Sequence, residues 1–181
     1  MLTRCAAFLL TALAFSAQSP GGAWIDVPFV AQPRDGCGAA SIAMVMDYWS
    51  VQQHTAAPPA SNVATIQHQL FSPRLHGITP EAMESYLRQN GYLAMPFSGT
   101  WNDLEQQLTK GRPLIVALRP RGQTAFHYVV VAGVDSVHGV VMMNDPAERK
   151  LLSEERSGFE RDWSATHRWT LLAVPQSSNR K

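Results

Sequence analysis

The order of the sequence patterns predicts an α+β domain, in which helices come early in the chain and strands come late. Between residues 38 and 110, apolar side chains recur at helical spacing, whereas after residue 113 they gather in short runs bounded by Gly, Pro and Asp. A chain of 181 residues, 45% hydrophobic and 16% charged, suits one globular domain with one core. We therefore expect an N-terminal helical part packed on one face of a C-terminal antiparallel sheet.

The first and strongest helical pattern runs from residue 38 to residue 49. A polar stretch follows at Gln52–Asn62 and contains two consecutive prolines, which predicts a surface loop. The helix has one apolar face, because its apolar residues fall at i, i+3, i+4 and i+7. These residues are Ile42, Val45, Met46 and Trp49.

Two further helices are predicted from their end signals. Thr79 supplies a capping hydroxyl, Pro80 takes the first helical position and Gly91 ends the pattern. Thr100 caps a third segment in the same way, and that segment stops at Gly111.

Four apolar runs in the second half predict the strands of the sheet. The segment Asp135–Gly139 is a turn that joins two of them as a hairpin. The runs are Leu114–Leu118, Tyr128–Ala132, Val140–Met143 and Trp169–Val174.

The first residues predict a cleaved signal peptide at residues 1–19, with cleavage as late as residue 23 also compatible with the small residues there. Arg4 supplies the positive charge that precedes an apolar run from Cys5 to Phe15. A signal peptide needs about 7 to 15 apolar residues, whereas a spanning helix needs about 20. An uncleaved anchor is the alternative. We expect an exported protein, periplasmic or extracellular, with one domain at 24–175, a polar tail at 176–181 and no membrane span in the mature chain.

Signal removal leaves Cys37 as the one cysteine of the mature chain, since Cys5 is removed with the signal. A lone thiol in an oxidising compartment is reactive, paired with another molecule, or an inert buried residue, and the count does not choose among these. Cys37 stands at the start of the first helix, where unpaired amides and the helix dipole stabilise a thiolate. Gly36 and Gly38 let a loop and a substrate chain come close to the sulfur. This setting suits a nucleophile.

A histidine and an acid stand where a cysteine nucleophile requires them. His127 enters a strongly apolar strand, where it can deprotonate the thiol and later protonate a leaving amine. Asp145 ends the next strand, so the hairpin brings it near His127, whose ring it would orient. Asn144 could orient the ring as well, but successive strand residues point to opposite faces, so only one of the two can face it. A structural histidine and a turn-forming Asp before Pro146 are the alternatives.

Gln32 stands five residues before Cys37 and can place its amide beside the sulfur. Together with the Cys37 backbone amide it would form an oxyanion hole. We expect no cofactor and no metal, because the other histidines show no HExxH spacing and no second cysteine accompanies them. A net charge of +1 gives no broad attraction for nucleic acid or an anionic membrane. The other histidines are His54, His68, His76, His138 and His167.

Four short segments together resemble the peptidase C39-like family: Val27–Gln32, Gly36–Ser41, His127–Val131 and Asn144–Pro146. The resemblance extends to Gly111–Val116 and to the aromatic residues Phe159 and Trp163. It implies a papain-like fold, a catalytic triad of Cys37, His127 and Asp145, and an oxyanion-hole role for Gln32. Transporter-linked members of the family cleave leader peptides after a double glycine. The sequence holds no transporter membrane domain or nucleotide-binding segment, so leader removal coupled to export is not implied.

The sequence therefore predicts a secreted or periplasmic cysteine peptidase that acts on a peptide or protein through a thioester acyl-enzyme. The same triad serves acyltransferases and amidases that act on non-protein substrates, and this reading stays open. A noncatalytic domain that keeps the fold and binds peptides is the third hypothesis.

Overall fold

The fold is described from a computed structural model, which covers residues 21–176. The predicted signal peptide and residues 177–181 of the predicted tail lie outside this range. None of the helices between residues 21 and 176 is long and apolar enough to cross a membrane.

Five helices and seven strands make up the described part of the chain. The helices are α1 Cys37–Gln52, α2 Val63–Leu70, α3 Pro80–Gln89, α4 Trp101–Thr109 and α5 Arg156–Ser164, with a short 3-10 helix at Pro59–Ser61. The strands are β1 Gly22–Trp24, β2 Tyr92–Ser98, β3 Leu114–Leu118, β4 His127–Asp135, β5 Val140–Asn144, β6 Leu152–Glu155 and β7 Trp169–Pro175.

The strands form one antiparallel sheet in the order β2-β7-β3-β4-β5-β6. Strand β1 pairs with the last residues of β4, from Gly133 onward, where β3 has already ended. The α+β class and the antiparallel sheet are confirmed. The order of elements is more mixed than predicted, because β2 precedes α4 and α5 precedes β7.

Helices cover both faces of the sheet, where the sequence pattern predicted one covered face. Helices α1, α2 and α3 share a buried cluster with the alternate strand residues Ile115, Ala117, Tyr128 and Val130. Helices α4 and α5 bury the other set, which includes Leu114, Val116, Val129 and Val131. The strands are therefore apolar on both sides, as a sheet between two helical layers requires.

Helix α1 is the central helix, and it is buried on nearly all sides from Gly38 to Met46. The predicted single apolar face was too narrow, because small residues such as Ala39 and Ala43 let neighbouring elements approach the helix all round. Two hydrogen bonds fix its far end. Tyr48 Oη donates to the carbonyl oxygen of Gly111 at 2.7 Å, and Trp49 Nε1 donates to that of Ala173 at 2.8 Å. These bonds fix the position of the helix relative to the sheet.

Candidate active site

Cys37 is the first residue of α1, and the local backbone explains why it stands there. Gly36 closes a tight turn by donating its N–H to the Pro33 carbonyl oxygen at 2.9 Å. A Cβ on Gly36 would lie 2.6 Å from Pro33 Cγ, so only glycine fits this turn. Gly36 is also the N-cap, and no side chain caps the helix. The first amides of α1 therefore remain free to bind an anion at the partly buried thiol of Cys37.

His127 begins β4 and is oriented by Asp145. Its Nε2 lies 2.8 Å from Asp145 Oδ1, and the two side chains are 19% and 10% exposed. Asp145 Oδ1 also accepts a hydrogen bond from the Ala147 amide at 2.9 Å, which holds the carboxylate in place. With Nε2 engaged, Nδ1 is the ring nitrogen left to face Cys37, which is close enough to raise the pKa of the ring. The three predicted residues are brought together.

The arrangement favours a charged imidazole. Burial of the ring lowers the pKa of His127, but the hydrogen bonds and negative charges of Asp145 and Cys37 outweigh it and raise the pKa to about 9. Burial also raises the pKa of Asp145, but its hydrogen bond to His127, the charge on that ring and two backbone amides hold it below its ordinary value. At neutral pH the ring is therefore an imidazolium, with the Asp145 carboxylate as its charged partner.

Asn144 has a structural task. Its Nδ2 donates to the Val27 carbonyl oxygen at 3.0 Å, and its Oδ1 accepts from the Leu151 amide at 3.0 Å. Asn144 pairs with Val130 across the sheet and shares its face, so the next residue, Asp145, falls on the side of His127. Strand alternation thus assigns the two neighbours different roles.

Gln32 lies on the extended segment before the turn that leads into α1. Its backbone amide donates to the Pro146 carbonyl oxygen at 2.9 Å, which ties this segment to the residue after Asp145. Its side-chain Oε1 is buried without a hydrogen-bond partner among the described residues. The predicted role of Gln32 in an oxyanion hole stays a prediction.

An open groove of about 480 Å³ runs beside Cys37. One wall is the segment 74–80 between α2 and α3, which includes His76. The other wall consists of Arg119 after β3 and residues 124–126 before β4, with Tyr128 completing the lining. None of these residues was predicted from sequence. The pairing of β3 with β4 explains the position of Arg119, because it brings the residues just after Leu118 close to His127.

Tyr128 is 2% exposed, and its hydroxyl has no partner among the described residues. Its ring packs edge-on against Trp169, with a centroid distance of 5.6 Å. Burial, with the nearby negative charges of Cys37 and Glu81, raises the pKa of Tyr128. The hydroxyl therefore stays neutral and can act only as a hydrogen-bonding group.

The site can perform acyl transfer from a carbonyl substrate to a thiol. A thiolate at an uncapped helix start is a nucleophile, and the imidazolium beside it is the acid that a leaving amine needs. The orienting carboxylate keeps the ring in the required tautomer.

Comparisons with known proteins show the family and the fold of the chain. The model of the Peptidase_C39 like family matches residues 24–170. No curated protein sequence matches the chain.

Three solved structures share the fold. A protein from Bacillus anthracis described as a C39-like peptidase is 15% identical, with a TM-score of 0.66, over 87% of this chain and 99% of that one. The peptidase domain of Streptococcus ComA, a bifunctional ABC transporter of a quorum-sensing pathway, is 18% identical, with a TM-score of 0.65, over 83% and 100%. A double glycine motif protease from an AMS/PCAT transporter, solved with its leader peptide, is 20% identical, with a TM-score of 0.62, over 85% and 95%.

Proposed function

The chain belongs to the peptidase C39-like family, and from that premise we propose that it is a cysteine peptidase whose triad is Cys37, His127 and Asp145. The observation that carries the proposal is a partly buried ring that is hydrogen-bonded to an acid and lies close to the thiol at the start of α1. Peptide as the substrate class is supported by the double glycine motif protease, which was solved with a leader peptide bound.

In the first half of the reaction, the Cys37 thiolate attacks the carbonyl carbon and forms the C–S bond. The Cys37 backbone amide and Gln32 stabilise the resulting oxyanion, a contribution of about 2.7 to 4 kcal/mol per donor in a serine enzyme. The His127 imidazolium then donates its proton to the amide nitrogen, and the C–N bond breaks. The amine product leaves a thioester on Cys37.

In the second half, neutral His127 removes a proton from water, and the hydroxide attacks the thioester carbonyl. The C–S bond breaks, and the acid product leaves. The Cys37 thiolate and the His127 imidazolium are restored, so the cycle needs no other reactant.

The proposal is tested by peptide hydrolysis and by alkylation of Cys37 with iodoacetamide at neutral pH. We expect Cys37→Ala to abolish hydrolysis and His127→Ala to lower kcat by at least about a thousandfold. His127→Ala should also slow alkylation, because the thiolate loses its partner. His138→Ala is the matched control, since His138 contacts Asp135 at 2.7 Å but is 74% exposed.

The outcomes separate this function from its rivals. Hydrolysis that survives Cys37→Ala would refute the assignment. An alkylation rate no faster than that of a free thiol, unchanged by His127→Ala, would instead identify a noncatalytic binding domain. A new amide formed when an amine is added would identify an acyltransferase.

We further propose that residues 1–19 direct export to the periplasm or beyond the cell. The basis is the basic residue followed by a short apolar run. Mass spectrometry of the protein from fractionated cells tests this proposal. A mature N-terminus between residues 17 and 24 is expected, and an intact N-terminus in the cytoplasm would contradict it.

A further inference from the structure

The groove beside Cys37 carries positive charge on both walls. Arg74 lies on the segment 74–80, and Arg119 lies on the facing wall after β3. No aspartate or glutamate is among the described residues that line the groove. Because the whole chain has a net charge of only +1, this charge is a local feature.

Neither arginine is neutralised within the described part of the chain. All ion pairs found between residues 21 and 176 involve other side chains. The nearby acid Asp35 contacts Arg34 and His76, at 3.9 and 3.8 Å. Glu81 is exposed on the first turn of α3 and is not part of the groove lining. The two guanidinium groups are therefore left for a ligand.

Arg119 is held in position as a binding group. Its backbone amide donates to the Asp162 carbonyl oxygen at 2.9 Å. Its guanidinium carbon lies 4.9 Å from the centroid of the Phe126 ring, which orients the planar group. Its Nε is enclosed and has no acceptor among the described residues. Because the enclosed Nε cannot contact a ligand, the two terminal amino groups of the half-buried side chain are the donors that remain for one.

Arg74 is exposed, and its segment is closed by a hydrogen bond from the Ser72 amide to the Gly77 carbonyl oxygen at 2.9 Å. Its side chain is less constrained than that of Arg119. It can add a second positive charge to an anion that Arg119 already holds.

We infer that this groove binds a carboxylate group of the peptide substrate, with Arg119 as the main specificity residue and Arg74 as an auxiliary. The inference rests on the proposed function in taking a peptide as the substrate. A guanidinium binds a carboxylate through two parallel N–H···O hydrogen bonds, which an amide side chain of the same shape cannot match. The carboxylate belongs to an aspartate or glutamate side chain, or to the C-terminus of the peptide.

The test uses sets of fluorescence-quenched peptides that differ in one group. In the first set, each position around the cleaved bond carries Glu or Gln, and every C-terminus is an amide. In the second set, all side chains are neutral and the C-terminus is a free acid or an amide. We expect the carboxylate to raise kcat/KM by about tenfold or more in one of the two sets, and that set identifies its source.

The variants assign the effect to residues. In the set that shows the effect, Arg119→Gln should bring the ratio of kcat/KM for carboxylate and neutral peptides close to one, and Arg119→Lys should restore part of it. Arg74→Gln, on an exposed segment, should lower the ratio less. Arg121→Gln is the matched control, because Arg121 is exposed two residues away and does not line the groove; it should leave the ratio unchanged. A ratio near one in the unmodified protein in both sets, or one that survives Arg119→Gln, would overturn the inference.

Failure of the peptidase proposal is recognised separately. If the unmodified protein hydrolyses no peptide, anisotropy measurements on Cys37→Ala with the same labelled peptides decide the question. Tighter binding of the carboxylate peptide that is lost in Cys37→Ala/Arg119→Gln supports the groove assignment. Equal binding, or none, overturns it.

Discussion

The two ends of strand β4 carry the same chemical groups in opposite settings. At its first residue, His127 contacts Asp145 at 2.8 Å, and at its last residue, Asp135 contacts His138 at 2.7 Å. The first pair is 19% and 10% exposed, whereas the second is 74% and 34% exposed. A histidine–aspartate distance therefore does not identify a site. The burial of the first pair does identify a candidate site, because water does not screen this pair and a thiol lies next to it.

The two helices that begin near these ends of β4 also differ, in how their first residues are capped. At the far end, α4 begins with a capping box, in which the Thr100 hydroxyl accepts from the Asp103 amide and the Asp103 carboxylate accepts from the Thr100 amide. Trp101 on this helix donates to Ser136 Oγ at 3.0 Å, which places the helix start beside the end of β4. Near His127, α1 has Gly36 as its N-cap, and no side chain caps this helix. Amides that serve stability at one end are left for an anion at the other.

The largest predicted effect separates the two acids. Asp145→Asn should lower kcat/KM by about a hundred- to ten-thousandfold, because the amide neither fixes the ring tautomer nor balances the imidazolium charge. Asp135→Asn should leave it unchanged, because Asp135 orients an exposed histidine far from the thiol. Steady-state kinetics on both variants measure the difference. Equal losses would mean that the two ends are not functionally distinct.

The second prediction concerns Asn144, which stabilises the fold beside the candidate active site. Asn144→Ala should lower the free energy of unfolding by about 2 to 4 kcal/mol, since it leaves the Val27 carbonyl and the Leu151 amide without partners in a buried place. Asn102→Ala at the capped end is the control, because Asn102 is exposed, and about 0.5 kcal/mol or less is expected. Urea unfolding gives both values. A neutral Asn144→Ala would show that this amide does not hold the sheet to the segment at Val27.

The third prediction is a pH dependence of hydrolysis that His127 produces and His138 does not. Because the pKa of His127 is raised to about 9, hydrolysis should fall about tenfold per pH unit above that value, where the leaving amine loses its acid. The profile of His138→Ala should superimpose on it. A decline centred near the ordinary histidine value of 6.5 would contradict the coupling of His127 to Asp145 and Cys37.

The same shift has a consequence for stability. The folded pKa of His127 lies above its ordinary value of 6.5, so its contribution is fully present below about pH 6.5 and is lost as the pH rises through about 9. For Asp145 the pKa is lowered, so its contribution is present above its ordinary value of 3.8 and is lost as the pH falls through the lowered value. The difference in unfolding free energy between the unmodified protein and His127→Ala, measured from pH 6 to pH 10, should therefore shrink with rising pH.

The smallest predicted effect concerns the capped helix. Thr100→Ala should cost about 1 kcal/mol of stability through loss of the capping box, with no change in the alkylation rate of Cys37. Thermal unfolding and iodoacetamide kinetics measure the two quantities. A slower alkylation in this variant would show that the two helix starts are coupled.

Local signals were sufficient for much of the fold. The caps and breakers of α3 and α4 were predicted from Thr79, Thr100 and the glycines that follow, and β3 was predicted with its observed bounds Leu114–Leu118. Helix α2 was missed, because it is eight residues long and buries one residue fully, Ile66. So short a helix shows little periodicity of its own and depends on packing against α1.

Strand β2 was missed for a related reason. Its exposed Leu93 and Met95 and its Pro96 are tolerated because it is an edge strand that pairs on one side with β7. No local pattern distinguishes such a segment from a loop. Strands β1 and β6, which are three and four residues long, were missed as well.

Sequence alone indicated the type of chemistry, through a lone thiol at a glycine-flanked helix start, a histidine and an acid on hairpin-joined strands, and a resemblance to a family whose model matches residues 24–170. Tertiary structure decided the rest. It showed that Asp145 rather than Asn144 contacts His127, that α1 lacks a cap, and that Arg74 and Arg119 face one groove. Residue types and spacing predict local geometry, whereas burial, pKa and the shape of a groove depend on segments that are distant in the chain and meet only when it folds.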